Sequence, residues 1–165
     1  MSSSNRFGII LLLAAISLLA SCGFQLRGSY EIPYKSIFVA APGTSQVAAS
    51  IRRELINNNT LIATAETAEA RIVISEERRD KQILSLSGAG RVKEYTLRML
   101  VNYQVVDKAG KVLIPTSEIQ LTRILGYDDT KVIAKQQEEA LLYSDMERDV
   151  VGQIIRRMIA IRKTS

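Results

Sequence analysis

The sequence predicts an α+β two-layer domain: a mixed four-stranded sheet with two helices on one face, in the order β-α-β-β-β-α. Two periodicities carry this expectation. Between Glu94 and Val105, Tyr95, Leu97, Met99, Val101, Tyr103 and Val105 alternate with polar side chains interrupted only by Leu100, the repeat of a strand with one buried face. Further on, Tyr143, Met146, Val150, Ile154 and Met158 recur at helical spacing, and Val151, Ile155 and Ile159 widen the stripe. Such a stripe packs on a sheet.

Taken in order, Ser36-Ile37-Phe38-Val39-Ala40 is a short apolar run between Lys35 and the turn Ala41-Pro42-Gly43, as expected of a buried strand. Thr44 or Ser45 can cap the next segment with its hydroxyl, and Val47, Ala48, Ile51 and Leu55 mark an amphipathic helix. Asn57-Asn58-Asn59 tolerates left-handed backbone and ends it. Leu61 to Glu69 reads either as loop or as a fraying turn. Ala70 to Ser75 alternates, the charged stretch Glu76 to Lys81 is an exposed continuation, and Ile83-Leu84-Ser85-Leu86 completes one long bent strand that turns at Ser87-Gly88-Ala89-Gly90. After the strand at Glu94 to Val105, Asp107-Lys108-Ala109-Gly110 has the form of a hairpin loop. Lys111 to Leu125 returns as a strand in which Pro115 belongs at an edge or a break. Asp128, Asp129 or Thr130 can cap the last helix, whose Gly152 costs roughly 1 kcal/mol relative to alanine. The first helix is expected to carry a right-handed crossover between strands.

With 165 residues, 47% hydrophobic and 24% charged, the chain has room for one core. Much of the apolar excess lies in Phe7 to Ala20, interrupted only by Gly8 and Ser17. This is short of the ~20 apolar residues that span a bilayer. With Arg6 before it and Ala20-Ser21 after it, the segment reads as a secretory signal over residues 1–21. Leu19-Ala20-Ser21-Cys22 resembles the lipobox of bacterial lipoproteins, which makes Cys22 the lipid-bearing first residue of the mature chain. The alternative is a free thiol, since an intramolecular disulfide is impossible with Cys22 as the sole cysteine. Each buried acyl methylene contributes ~0.8 kcal/mol, so the chains on such a cysteine hold firmly. By resemblance to bacterial sorting rules, Gly23 after the cysteine points to the outer membrane. Residues 22–34 then form the lipidated start and tether, and 35–165 a periplasmic domain.

Histidine is absent and the one cysteine is committed to lipid, which removes the usual zinc ligands, Ser-His pairs and thiolate nucleophiles. The adjacent pairs Asp128-Asp129 and Glu138-Glu139 point in different directions on regular backbone and read as solvated charge. No enzyme, metal or cofactor is expected. Without Arg6 the mature chain keeps 21 basic against 17 acidic residues, a net charge of +4. At a membrane this favours anionic headgroups or saccharide phosphates over nucleic acid, and fits a merely solvated basic surface equally well.

Glu94-Tyr95-Thr96-Leu97, Tyr103, Asp107-x-x-Gly110, Ile133-Ala134-Lys135-x-x-Glu138-Glu139 and Met146-x-x-Asp149-x-x-x-Gln153-Ile154-x-Arg156-Arg157, with the mature start Cys22-Gly23-Phe24-Gln25-Leu26-Arg27, together resemble the LptE family in order and spacing. The resemblance covers nearly all of the mature chain. It implies a non-catalytic lipoprotein on the periplasmic face of the outer membrane that plugs the LptD β-barrel and helps deliver lipopolysaccharide to the cell surface. It also implies lipopolysaccharide contact by basic residues at the start of the last helix, where Lys135 matches, and near the hairpin tip. There the match is Arg91 and Lys93, which follow the turn at Gly88-Ala89-Gly90 rather than precede it. Glu138 and Glu139 read as shaping the helix and Tyr95 as core. The alternative is a free-standing periplasmic lipoprotein that binds an anionic lipid or glycan without a permanent barrel partner.

Overall fold

A computed structural model describes residues 32–164. The expected signal peptide, Cys22 and the tether up to residue 31 lie outside the described residues. Ile32 and Tyr34, at the end of the stretch read as tether, are buried.

The short run Ser36–Ala40 forms β1, with its β-branched Ile37 and Val39 fully buried. Ser45 caps α1 (Gln46–Asn57), its hydroxyl accepting from the Ala48 amide at 2.9 Å. Glu77 reinforces this end from a distant strand: its carboxylate accepts from the Ser45 hydroxyl at 2.6 Å and the Val47 amide at 3.2 Å. A carboxylate at a helix N-terminus also meets the positive end of the helix dipole. Asn59, at φ 56°, ends the helix in the left-handed region, as the asparagine run predicted.

The sheet has five strands rather than the expected four, in the order β2-β1-β3-β4-β5. The added strand is β2, Leu61–Ile62, which pairs parallel to the otherwise free edge of β1. Two residues carry no periodicity, so only the pairing of Leu61 N–H with the Lys35 carbonyl at 3.0 Å, and of Ala63 N–H with that of Ile37 at 3.1 Å, reveals it. β3 (Ala70–Leu86) runs parallel to β1 and antiparallel to β4 (Val92–Asp107), which pairs antiparallel to β5 (Val112–Gly126). Gly90 (φ 75°) and Gly110 (φ 86°) close the two hairpins in backbone that other residues rarely adopt. Pro115 lies on the edge strand, within the register shift between the pairs Tyr103/Ser117 and Val105/Ile114, so it is both at an edge and at a break.

The expected long, bent strand is β3. Its register slips at Ser75, between Ile74/Tyr103 and Glu76/Asn102, and this bulge reverses the phase of the side chains. Ala70, Ile72 and Ile74 face the helices before it; Glu77, Arg79, Lys81 and Ile83 do so after it, opposite Val101, Met99, Leu97 and Tyr95.

The last helix, α2, runs over Val132–Thr164 and begins later than its expected caps. Asp128 instead accepts from the Thr130 amide and hydroxyl at 3.0 and 2.7 Å, and Lys131 supplies the first helical carbonyl, to the Lys135 amide at 3.0 Å. Met146, Val150, Val151, Ile154, Ile155 and Met158 are buried as the stripe requires, whereas Tyr143 and Ile159 are half-buried. α1 packs on β1 and β2, α2 on β4 and β5, and the helices touch each other, so both cover one face. Burial of each Ile, Leu or Met of this core stabilises the fold by ~1.5–3 kcal/mol before entropy is counted. The opposite sheet face carries Arg71, Arg78, Arg98, Asn102, Gln104 and Gln120 together with Glu76, Asp80, Leu100 and Glu118.

Candidate functional site

The tip-side end of the β3–β4 hairpin and the start of α2 meet around a cavity of about 600 Å³ whose lining includes Lys93, Lys131, Lys135, Tyr127, Asp128 and Glu138. The chain builds it in three steps. Lys93 opens β4, and its carbonyl accepts from the Tyr127 amide at 2.7 Å, fixing the loop after β5 beside the strand. Asp128 then folds the loop back through Thr130. One turn into α2, Lys135 follows Lys131 by four residues and so lies on the same helix face.

The electrostatics are those of paired charges rather than of a bare cationic patch. Lys135 Nζ donates to Glu138 at 2.7 Å and Lys131 Nζ lies 3.8 Å from Asp128. Thr130's hydroxyl and amide, and then Lys131 and Lys135, hold the Asp128 carboxyl below the ordinary carboxylate range, so it remains ionised. Glu94 on the rim accepts from the Ser85 hydroxyl at 2.6 Å. Among the described residues Lys93 has no carboxylate within ion-pair distance. Exposed pairs of this kind contribute only ~0–1 kcal/mol, and a phosphate offers several charge-assisted acceptors, so an incoming phosphate can displace Glu138 or Asp128 from its lysine.

Tyr127 is the aromatic of the lining, and behind it Tyr95, half-buried rather than fully in the core, lies edge-on with ring centroids 5.2 Å apart. Lys81 Nζ sits 4.3 Å from the Tyr95 ring centroid and 2.6 Å from Glu139. Beyond it, Arg79 bridges Glu77 at 3.5 Å and Glu147 at 3.1 Å, and the Tyr143 hydroxyl donates to the Asp80 carbonyl at 2.8 Å. Burial, then the nearby Glu139, raises the Tyr143 phenol above its ordinary range and keeps it a donor. Glu139 thus ties α2 to the sheet, and Glu138 holds Lys135.

Of the residues the sequence singled out, the fold brings Lys93 and Lys135 to one cavity. Arg91 lies off its lining, 75% exposed and 3.4 Å from Asp129. Sequence reasoning missed Lys131, although its spacing from Lys135 was a usable signal. Cys22 lies outside the described residues. Among those residues no cluster of carboxylates or other ligands suited to a metal ion is present, and no helix is long and apolar enough to cross a membrane.

The model of the family described as LptE: Lipopolysaccharide-assembly matches residues 34–158. The chain belongs to the LptE family. It is 24% identical to the LPS-assembly lipoprotein LptE of Photorhabdus laumondii over 161 residues, which cover 95% of this chain and 87% of that one. To the LPS-assembly lipoprotein LptE of Yersinia pestis it is 26% identical over 164 residues, 95% of this chain and 77% of that one. Among solved structures, lipoprotein B of Nitrosomonas europaea matches with a TM-score of 0.69 at 38% identity, covering 81% of this chain and 88% of that one. The rare lipoprotein B of Shewanella oneidensis shares the LptE fold with a TM-score of 0.66 at 20% identity, over 78% and 97% of the two chains.

Proposed function

We propose that this LptE-family chain is an outer-membrane lipoprotein, anchored on the periplasmic face through Cys22, that plugs and supports assembly of the LptD β-barrel and helps deliver lipopolysaccharide to the cell surface. In this reading Lys93, Lys131 and Lys135 contact lipid A phosphates directly, and Arg91 meets the same ligand from outside the cavity. The observation that carries the ligand contact is the cavity itself, which joins lysines from the hairpin and from α2 although they are far apart in sequence. The role is one of binding and positioning, with no catalysis, cofactor or nucleic acid.

The barrel partnership is supported by the sheet face that the helices leave uncovered. Barrel lumens are polar, and this face presents guanidinium, amide and carboxylate side chains around Val73, Leu100 and Val106.

The decisive experiment is purification of the epitope-tagged full chain from membranes in mild detergent. The expected result is stoichiometric recovery of one large β-barrel protein. Recovery of the chain with bound lipid or glycan but no barrel would instead establish the free-standing binding lipoprotein.

A further inference from the structure

We propose that Lys81 is a positioning residue for the lysine site: held between Glu139 and the Tyr95 ring, it sets where α2 presents Lys131 and Lys135 without touching the ligand. The proposal rests on the lipopolysaccharide-binding reading and concerns how that site is held rather than what it contacts.

Lys81 and Glu139 lie off the lining of the lysine cavity. Both line a neighbouring cavity of about 720 Å³ between α1 and α2. There the Lys81 ammonium meets two elements at once, Glu139 of α2 at 2.6 Å and the Tyr95 ring of β4 at 4.3 Å from its centroid. A carboxylate and the negative face of an aromatic ring both attract a cation, so the ammonium joins helix to strand.

Each partner leads on to the lysine site. Glu139 follows Lys135 by four residues, so the two share one helix face a single turn apart. On the other side the Tyr95 ring meets Tyr127 edge-on, and the Tyr127 amide donates to the Lys93 carbonyl at 2.7 Å. Lys81 thus connects the two segments that bring the lysines together, through its partners rather than through the cavity.

Two features set this pair apart from an ordinary surface ion pair. From residue 132 to 145 α2 buries no side chain, so polar ties locate that half of the helix. The ties from Tyr143 to the Asp80 carbonyl and from Glu147 to Arg79 lie further along the helix, and Glu139 is nearer to Lys135 than either. Lys81 also reaches this face only through the bulge at Ser75. Unbroken alternation from Ile72 and Ile74 would send it to the opposite side of the sheet. The Lys81 side chain is 34% exposed, so solvent weakens the pair, and the expected effect is on the placement of the helix more than on global stability.

The test uses the purified full chain, its binding of fully acylated lipid A, and nitroxide labels at Gln120 paired with either Gln137 or Ala160. The two label pairs report the first and second halves of α2 against β5. Glu139→Gln is the decisive variant because charge and position act on it with opposite signs. It removes a negative charge one turn from Lys135, which by charge alone strengthens binding of an anionic lipid; loss of positioning weakens it. The expected result is lipid A affinity about two- to fivefold weaker, with a broadened Gln120–Gln137 distance distribution and an unaltered Gln120–Ala160 distribution. Lys81→Gln is expected to match it, and the double variant to lose no more than either alone. Lys81→Arg, which keeps both the ion pair and the ring contact, is expected to stay near the parent. Unchanged or tighter lipid A binding by Glu139→Gln, or an unaltered Gln120–Gln137 distribution, overturns the proposal while leaving the lysine site standing. Failure of the parent chain to bind lipid A removes the ligand reading itself, and the positioning role with it.

Discussion

The two halves of α2 lie on the same sheet but are held there by different interactions. From Met146 onward the helix buries Met146, Val150, Val151, Ile154, Ile155 and Met158 against β4 and β5. From residue 132 to 145 no side chain is buried. That half is attached by Lys81 to Glu139, by the Tyr143 hydroxyl to the Asp80 carbonyl, and, at the boundary, by Arg79 to Glu147. Apolar burial is non-directional and summed over many atoms, so it fixes the fold. Half-exposed ion pairs are individually weak and screened by salt, so they set the position of Lys131 and Lys135 without locking it. The first half is suited to adapt to a ligand and the second to survive the adaptation.

Ile154→Ala in the apolar half is expected to have the largest effect, a loss of about 2–5 kcal/mol in denaturant unfolding, because the side chain is fully buried and a cavity remains. Glu147→Gln tests the boundary. Its carboxylate side chain is 12% exposed and serves Arg79 and the Ser50 hydroxyl, so the same measurement is expected to show a loss of about 1–2 kcal/mol. A loss as large as that of Ile154→Ala would erase the distinction between the halves.

Gly152→Ala is expected to act in the opposite direction and stabilise by up to about 1 kcal/mol. The only close neighbour of an added Cβ is the Arg156 guanidinium at 2.9 Å, the mobile end of a long side chain, so the glycine does not serve a tight helix–sheet contact. The smallest effect is expected at Asp128. Its folded-state pKa is depressed, so its contribution is fully present above the ordinary carboxylate range and is lost as pH falls through the lower folded value. Asp128→Asn is therefore expected to lower stability slightly near neutrality and to remove a small acid-limb slope from stability measured against pH, so that variant and parent converge at low pH.

The sequence made β4 and the apolar half of α2 legible because each has enough residues to display its period. β2 was hidden because its two residues have none, and it exists only through pairing with β1. The polar stretch Glu76 to Lys81 was recognised as continued strand, but its direction was not. Alternation carried on from Ala70, Ile72 and Ile74 would have turned Glu76, Arg78 and Asp80 toward the helices, and the bulge at Ser75 turns Glu77, Arg79 and Lys81 there instead. A bulge of one residue leaves no mark in composition. For the same reason the ion pairs that hold the first half of α2 were not foreseeable. Lys93 and Lys135 could be named from family resemblance, but their sharing of one cavity depends on the fold of the loop at Tyr127 and Asp128, a tertiary fact.

The central claim is that the first half of α2 serves the ligand and the second half serves the fold, and the double variant Lys131→Glu/Lys135→Glu tests it most directly. Binding of lipid A to the purified full chain would be measured across a salt series, beside denaturant unfolding of the same protein. The expected result is affinity reduced about tenfold or more with a weakened salt dependence, and unfolding stability within about 0.5 kcal/mol of the parent. Unchanged lipid A affinity, or a loss of affinity matched by a comparable loss of stability, would contradict it.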